Sequence, residues 1–179
     1  MGLYVRHDSS YAHETGAHPE NAGRLRAIEA ELGRRDWLGL ERRDAPEATR
    51  EQMLRAHSEG HVEAIETFCA EGGGMIDADT LASEGSWTAA LHAAGGAASA
   101  AEALLRGEDD FAVCALRPPG HHAERARAMG FCLLNNIAVA ATIEALGGDS
   151  TPTPAPLEAA GEHAERARRF TALHSAERP

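Results

Sequence analysis

The sequence contains no lysine, so all 17 of its basic residues are arginines, and they stand against 28 acidic residues. The formal net charge is −11 at pH 7. This balance argues against a surface for nucleic acid or anionic membrane, because both need a basic face. It suits a cationic substrate such as a polyamine or a lysine side chain. Ordinary solubilising charge explains it as well, and we prefer that explanation because net charge does not locate a site.

Long apolar runs and an amino-terminal signal region are also lacking. No run approaches the roughly 18 apolar residues that a membrane-spanning helix needs. The three cysteines, Cys69, Cys114 and Cys132, are odd in number and show no C-x-x-C spacing. Each lies in an apolar stretch, which predicts buried, reduced thiols in a cytoplasmic protein. With 179 residues, 43% of them apolar, the chain can form one domain with its own core.

The most informative stretch begins with residues 111–116 (FAVCAL), a nearly unbroken apolar run. It predicts a strand buried on both faces in a parallel sheet. Residues 118–120 (PPG) end this strand and force a loop. Residues 132–146 predict a buried helix. His121 and His122 therefore follow the carboxyl end of an interior strand, where open α/β sheets bind ligands.

The adjacent histidines need an irregular backbone to act together. In a regular strand, the side chains of His121 and His122 would point to opposite faces. A bend at the Pro-Pro-Gly segment can aim both rings at one cavity, where one ring accepts a proton and the other stabilises charge or donates. The alternative is a pair of half-exposed loop histidines with no role, and the dipeptide alone does not decide between the two.

Four motifs resemble the histone deacetylase superfamily, which includes eukaryotic histone deacetylases, bacterial acetylpolyamine amidohydrolases and acetoin-utilisation proteins. Residues 117–136, with RPPGHHA and MGFCLLNN, resemble its active-site segment. Residues 18–24 (HPENAGR) resemble its HPE-x-x-x-R opening, and residues 57–62 (HSEGHV) its HS-x-x-Y/H-V helix. Residues 77–97 resemble its D-x-DT…AAGG stretch. The motifs occur in the expected order over about residues 5–141.

The resemblance implies a fold and a reaction. The fold is a three-layer α/β/α arrangement with a mainly parallel sheet, arginase/deacetylase-like, and incomplete here at its carboxyl side. The reaction is zinc-dependent hydrolysis of acetyl-amide bonds in acetyl-lysine side chains or acetylpolyamines, which are small cationic acetylated amines. His121 would be the electrostatic partner, and His122 the general base that later protonates the leaving amine. Neither nucleic acid nor membrane is an expected partner.

The resemblance also implies roles around the histidines. The Gly130 carbonyl would accept a hydrogen bond from the substrate N–H, and Phe131 would form a wall of the acyl-lysine tunnel, although a core aromatic is the plainer interpretation. Arg24 would line an internal channel beneath the site and hold the leaving carboxylate, unless it is simply a solvated helical arginine. Asp77 and Asp79 could be an acid–base pair or turn formers. The resemblance favours Asp79 as a rim carboxylate that binds the substrate.

The chain departs from the family pattern towards its end. No D-x-H segment occurs to supply metal ligands, and the only tyrosines, Tyr4 and Tyr11, lie near the start instead of late in the chain. We therefore assign no metal ligand. Residues 1–146 are interpreted as the amino-terminal part of a deacetylase-like domain, residues 147–156 as a Pro/Gly-rich linker, and residues 157–179 as a non-family tail, helical or disordered.

This interpretation has consequences for function and stability. We expect a truncated or frame-disrupted family member that does not bind zinc tightly, because the ligand set is incomplete. We also expect an exposed sheet edge that permits self-association. Whether this chain is an enzyme stays open at this point, since a non-catalytic α/β remnant or partner-binding fragment is the alternative.

Local sequence signals predict the remaining strands and helices. Strands are predicted at residues 2–5 and, as an edge strand, at residues 37–42. A helix is predicted over residues 21–35, with Thr49 and Ser58 capping the next two helices. Gly72, Gly73 and Gly74 should end the second of these. The Ala-rich helix over residues 86–106 contains Gly95 and Gly96, which predicts close packing against the sheet or a neighbour because glycine is otherwise unfavourable in a helix.

Overall fold

A computed structural model of the chain describes residues 2–145; the predicted linker and tail lie outside the described residues. The strands are β1 (Gly2–Arg6), β2 (Glu41–Asp44), β3 (Gly73–Met75), β4 (Leu81–Ser83) and β5 (Phe111–Cys114). The helices are α1 (Ala22–Arg34), α2 (Arg50–Ala56), α3 (Glu59–Ala70), α4 (Ser86–Leu105) and α5 (Asn136–Ala145). None of these helices combines the length and the apolar character that crossing a membrane requires.

A parallel sheet of order β2-β1-β5 forms the centre of the fold. Strand β1 is the middle strand, and Leu3, Tyr4 and Val5 are all at most 1% exposed. Their side chains alternate between the two faces of the sheet. Tyr4 faces a groove that it shares with Leu25 of α1, whereas Leu3 and Val5 pack with Ala100 on α4. Helices therefore cover both faces, and the predicted three-layer α/β/α arrangement is confirmed.

The two glycines of α4 are sites of close backbone approach. A Cβ atom on Gly95 would lie 2.3 Å from the carbonyl oxygen of Pro46 and 2.4 Å from the backbone nitrogen of Ala48. A Cβ atom on Gly96 would lie 2.5 Å from Leu116 Cδ1. Both contacts are far below van der Waals distance, so only glycine allows α4 to lie this close to the sheet and to the segment after β2. The predicted close packing is confirmed.

Helix starts follow the sequence signals. The Asn21 side chain accepts the Gly23 N–H and caps α1. Thr49 forms a full capping box with Gln52 at the start of α2. Ser58 caps α3 by accepting a hydrogen bond from the backbone of the third residue after it. Each cap satisfies backbone donors that a helix cannot satisfy internally.

The prediction that residues 111–116 form an interior strand buried on both faces is wrong for the described residues. Strand β5 is formed and parallel, but it lies at the edge of the sheet, because only β1 pairs with it. Phe111 is 50% exposed and Val113 is 44% exposed. Cys114 is likewise exposed, against the prediction, whereas Cys69 and Cys132 are buried.

Two element boundaries also differ from the predictions. The predicted edge strand at residues 37–42 begins only at Glu41, because Asp36–Gly39 forms a 3-10 turn in which Trp37 and Leu38 have positive φ. The predicted helix from residue 132 begins at Asn136. Residues before it lie in the loop, and their apolar side chains are buried there without helical structure.

A hairpin was missed by the sequence analysis. The glycines at residues 72–74 do end α3, but Gly73 and Gly74 also enter β3, which pairs antiparallel with β4. Gly73 has φ of 73° and a Cβ atom there would lie 2.3 Å from the Ala82 carbonyl oxygen. Short strands rich in glycine carry little hydrophobic alternation, so the usual strand pattern is absent here.

We predict that Gly95→Ala destabilises the protein by about 1–3 kcal/mol, because overpacking against backbone atoms forces α4 away from its neighbours. The matched control is Gly33→Ala in α1, where a Cβ atom meets nothing within 4 Å. There the gain in helix propensity should dominate and stabilise by up to about 1 kcal/mol. Urea unfolding of both variants measures this, and equal effects of the two replacements would contradict the close packing.

Candidate active site

The loop after β5 carries the histidine pair. Arg117, Pro118 and Gly120 are buried, whereas His121 and His122 are exposed. The two imidazole rings have centroids 4.3 Å apart and planes inclined by 51°. The rings therefore lie side by side, as predicted for an irregular backbone, but they face solvent instead of an enclosed cavity. Within residues 2–145, neither ring has a hydrogen-bond partner, so both retain their nitrogen atoms for a ligand.

Gly120 fixes the loop against the start of α5. A Cβ atom at this position would lie 2.4 Å from the backbone nitrogen of Asn136 and 2.6 Å from the carbonyl oxygen of Leu134. The Asn136 side chain also donates to the carbonyl of Pro118 at 3.2 Å. The glycine thus allows two backbone segments to touch, and this contact places the residue before the histidine pair against the amino-terminal end of α5.

A buried ion pair joins this loop to the chain segment before α1. Arg117 donates through Nε and Nη2 to the two carboxylate oxygens of Glu20, the second at 2.7 Å. The side chains are 4% and 5% exposed. Arg117 also donates through Nη1 to the Ser10 carbonyl at 2.8 Å. A bidentate pair with further hydrogen bonds is the geometry in which two charges can be buried together.

His13 completes this buried cluster. Its ring is 1% exposed, Nδ1 lies 2.6 Å from Ser86 Oγ, and Nε2 lies 3.6 Å from Glu20 Oε2. Burial lowers the pKa of His13 to about 4, and the Arg117 charge acts in the same direction while Glu20 opposes it. The ring is therefore neutral at pH 7. His13 is therefore part of the protein interior.

The HS-x-x-H-V segment contacts the stretch that leads from the histidine pair to α5. His57 is buried, and its Nε2 accepts the Asn135 N–H at 2.8 Å. His61 Nε2 lies 2.9 Å from the Leu133 carbonyl oxygen. Burial, followed by the neighbouring His61, lowers the pKa of His57. A neutral ring is what the Asn135 contact requires, because a protonated imidazole has no acceptor nitrogen.

Asn135 connects the end of the histidine loop to the start of α5. Its side chain donates to the Ala123 carbonyl at 2.8 Å and accepts the Ala138 N–H at 2.9 Å, which caps α5. Ser58, which caps α3, donates its own N–H to the Arg125 carbonyl at 2.8 Å. The loop that carries the histidines is therefore held to α3 and α5 by hydrogen bonds from both ends.

Gly130 and Phe131 lie beside the pair. Gly130 has φ of 56°, and a Cβ atom there would lie 2.8 Å from the His122 ring. Phe131 also has a positive φ, 71°, in the left-handed region that a bulky side chain rarely adopts. Its N–H donates to Thr80 Oγ1 at 3.2 Å, and its ring meets the His18 ring edge-on at 4.4 Å. These contacts hold a strained backbone next to the histidines, as is common at functional sites.

The carboxylates of Asp77 and Asp79 differ in their hydrogen bonds. Asp77 Oδ1 accepts the N–H groups of Asp79 at 3.1 Å and Thr80 at 2.7 Å. These hydrogen bonds lower the pKa of Asp77, so its carboxylate is ionised at neutral pH and stabilises the turn. Asp79 is exposed, and its carboxylate lies 3.4 Å from Thr80 Oγ1. A run of contacts thus leads from His122 through Gly130, Phe131 and Thr80 to Asp79.

Arg24 lies apart from this run of contacts. It is exposed on α1 and lines an apolar groove of about 640 Å³ together with Arg117 and Pro119, at the base of the histidine loop. Within the described residues its guanidinium makes no ion pair. The structure therefore places Arg24 beside the underside of the loop without bringing it to the two imidazoles.

The described residues do not fit a zinc ion on their own. They contain no group of three or more histidine, cysteine, aspartate or glutamate side chains that could hold a metal. A catalytic zinc site needs three protein ligands, and the exposed pair offers two. No zinc-dependent step is therefore derived for residues 2–145, and weak zinc binding by the whole chain stays a prediction.

Comparison with known proteins decides the family. The sequence model of the histone deacetylase domain matches residues 18–146. The chain belongs to the histone deacetylase family. A probable deacetylase from Methanothermobacter thermautotrophicus is 42% identical over 139 residues, which is 77% of this chain and 41% of that protein. A histone deacetylase-like amidohydrolase from Pseudomonas aeruginosa is 40% identical over 140 residues, 78% of this chain and 36% of that protein.

A solved structure agrees with the family assignment. The crystal structure of the HDA15 HD domain superposes with a TM-score of 0.77 at 35% sequence identity, covering 82% of this chain and 44% of that chain. The chain therefore spans less than half the length of the deacetylases it matches. The arginase/deacetylase-like fold expected from the resemblance is confirmed for the part that is present.

Several site residues were missed by the sequence analysis. Glu20 and Arg117 stood inside two of the quoted motifs, and their opposite charges beside two loops were the available signal. His57 and His61 likewise belonged to a quoted motif but received no role. For Asn135 the signal was its position just before an apolar helical run, where asparagine is a preferred cap. The roles predicted for the histidine pair and its neighbours stay predictions.

We predict that Glu20→Gln destabilises the protein by about 3–5 kcal/mol, because it leaves the buried Arg117 charge without a partner. Glu31→Gln is the matched control. Glu31 pairs with Arg34 and Arg35 on the exposed surface of α1, where loss of a pair costs at most about 1 kcal/mol. Urea unfolding of both variants tests this, and similar losses would show that the Glu20 pair contributes no more than a surface pair.

The His13 environment predicts an acid-sensitive fold. Its pKa is lowered to about 4 in the folded state from an ordinary value of 6.5, so the unfolded state binds more protons between these values. The free energy of unfolding should therefore fall as pH drops from 6.5 towards 4, by about 3 kcal/mol from this group.

His13→Gln should flatten this dependence, since glutamine does not titrate. The same replacement at exposed His121 controls for the loss of an imidazole. Urea unfolding at a series of pH values between 4 and 7 measures both, and an unchanged slope in His13→Gln would remove His13 as the cause.

Proposed function

We propose that this chain supplies the histidine pair and one rim of an acetyl-amide hydrolase site, acting on acetyl-lysine side chains or acetylpolyamines. The observation that carries the proposal is a pair of adjacent imidazoles at the carboxyl end of a parallel strand, in a chain of the histone deacetylase family. Among residues 2–145 neither ring has a hydrogen-bond partner. Such strand ends are where open α/β sheets place their reacting groups.

The chemistry assigned to the pair is proton transfer. Water adds to the acetyl carbonyl, and His122, as general base, takes the proton that the water loses. The amide C–N bond then breaks, the same imidazole returns the proton to the leaving amine nitrogen, and acetate and a free amine are released. An imidazole suits both directions at neutral pH. His121 lies against His122 and contributes electrostatic stabilisation.

The neighbouring residues are proposed to bind the substrate. The Gly130 carbonyl lies 3.3 Å from Cys132 Sγ, a weak donor, and so keeps a lone pair for a substrate N–H. Phe131 offers an aromatic wall for an acyl-lysine chain. Asp79, exposed at the far end of the contact run, offers a carboxylate to a cationic amine or a backbone N–H. Arg24 is proposed to receive the acetate on the other side of the loop.

In the intact family domain, zinc would polarise the acetyl carbonyl, and its ligands would come from parts of the domain beyond the described residues. The alternative is that this chain by itself is a non-catalytic, partner-binding fragment, for which the described residues offer the unpaired edge of β5. A cytoplasmic location belongs to the same proposal, and its support is that all three cysteines are free thiols.

We predict that His122→Ala lowers acetate release from acetyl-lysine peptide and acetylpolyamine by about 100-fold or more, because general acid–base catalysis contributes about 10²–10⁴. The assay uses the chain with zinc and with a polypeptide supplying the remainder of the domain. His163→Ala is the matched control for loss of an imidazole outside the family segment. Unchanged turnover in His122→Ala, or no acetate release by the unaltered chain under these conditions, would contradict the proposed function.

A further inference from the structure

A second pair of histidines joins the end of the central strand to the long helix. His7, which follows β1, stacks on His92 of α4, with ring centroids 3.4 Å apart and planes inclined by only 15°. His7 is half-buried, and the side chain of His92 is 12% exposed. Two titratable rings thus lie face to face, largely shielded from water.

The hydrogen bonds of His7 require a neutral ring. Its Nδ1 accepts the Ser9 N–H at 3.2 Å and lies 2.8 Å from Ser9 Oγ. The bond from the N–H caps the 3-10 turn Asp8–Tyr11. A protonated Nδ1 can only donate. The Ser9 hydroxyl can then rotate to accept that proton, but the Ser9 N–H loses its acceptor, so the cap exists only while Nδ1 carries no proton.

The hydrogen bonds of His92 tolerate a proton. Its Nδ1 donates to the Ala45 carbonyl at 2.7 Å, and its Nε2 lies 3.6 Å from Glu47 Oε1. A proton on Nε2 keeps the first contact and adds an attraction to the second. The stack can therefore take one proton on His92 without losing a hydrogen bond. A second proton, on His7, breaks the cap and places two like charges face to face.

The charges that face His7 come from four elements. Arg6 of β1 and His92 of α4 oppose its protonation, whereas Asp8 of the turn and Asp44 at the end of β2 favour it. These two carboxylates are 80% and 77% exposed, so solvent weakens their effect. Burial, followed by His92, lowers the pKa of His7 below its ordinary value of 6.5. His7 therefore adds to the loss of folding stability below pH 6.5, because the unfolded state binds more protons there.

The capped turn contacts the base of the loop that carries the exposed histidine pair. Ser10, in the middle of the turn, is fully buried. Its carbonyl accepts Arg117 Nη1 at 2.8 Å, and its Oγ accepts the Arg117 backbone N–H at 3.1 Å. The Ser10 N–H in turn donates to the His7 carbonyl at 3.1 Å. A short series of contacts therefore leads from the stacked rings to Arg117.

We propose that His7 and His92 form an acid-sensitive latch on the loop that presents the exposed histidine pair. At neutral pH the stack and the cap hold Ser10 against Arg117. In acid, protonation of both rings separates them, and the uncapped turn releases Arg117. His7 is thus a positioning residue. The latch is a property of the fold, and only its consequence for turnover rests on the proposed function.

The test measures amide hydrogen exchange of the full chain between about pH 7.5 and about pH 4.5, corrected for the intrinsic exchange rate at each pH. We expect the protection of the Ser9 and Arg117 amides to fall together by about tenfold on acidification, as loss of a cap predicts. His7→Asn should abolish this fall at both amides, because asparagine caps through its amide oxygen and does not titrate. His7→Ala should leave both amides weakly protected at every pH.

His13→Gln is the matched control, because His13 is a second buried imidazole whose pKa the Arg117 charge lowers. This replacement should leave the acid effect at Ser9 unchanged. An acid effect that is absent from the unaltered chain, that persists in His7→Asn or that His13→Gln abolishes would overturn the proposal. Loss of protection at Ser9 alone, with Arg117 unaffected, would do the same. If His7→Ala does not fold, His7→Asn still decides.

Acetate release is measured separately, in the assay described for His122→Ala. A coupled loss of protection at Ser9 and Arg117, in a preparation that releases no acetate at any pH, supports the latch and contradicts the proposed function. Acetate release without any coupled loss of protection supports the proposed function and contradicts the latch.

Discussion

The buried ion pair between Arg117 and Glu20 is the constraint on which the site depends. It joins the loop after β5 to the segment before α1, two parts of the chain that lie 97 positions apart. Burying these charges is unfavourable unless every polar group is matched, and Ser10 and His13 complete the set around them. The residue before Pro118 is thereby fixed, and the backbone that follows must present His121 and His122 at the tip of the sheet.

Three other contacts extend this constraint to the rest of the site. Gly120 lets the loop touch the backbone before α5, His57 accepts the Asn135 N–H from below, and Gly130 lies against the His122 ring. None of the three residues is proposed to react, yet each fixes the backbone next to the two imidazoles for which a reaction is proposed. Most residues of the family motifs therefore hold one loop in place, and that loop presents the two exposed imidazoles.

Much of this fold follows from local sequence signals. Asn21, Thr49 and Ser58 mark helix starts through short-range hydrogen bonds, which a sequence displays directly. The Gly95–Gly96 pair similarly predicted close packing, because glycine destabilises a helix unless a close contact requires it. Strand β5 was predicted correctly, but its apolar run wrongly predicted burial on both faces. A side-chain pattern indicates which surfaces a strand can pack against. Whether another element covers those surfaces depends on the tertiary structure. The Glu20–Arg117 pair was missed for the same reason, since charge complementarity between distant loops has no local signature.

The most direct test of this account is whether the Glu20–Arg117 pair holds the imidazoles together. Nuclear Overhauser contacts between ring protons of His121 and His122, measured by NMR, report the 4.3 Å ring separation. The account predicts these contacts in the unaltered chain and their loss in Glu20→Gln under conditions where both proteins remain folded. Ring contacts that are absent from the unaltered chain, or that persist at full strength in Glu20→Gln, would contradict it.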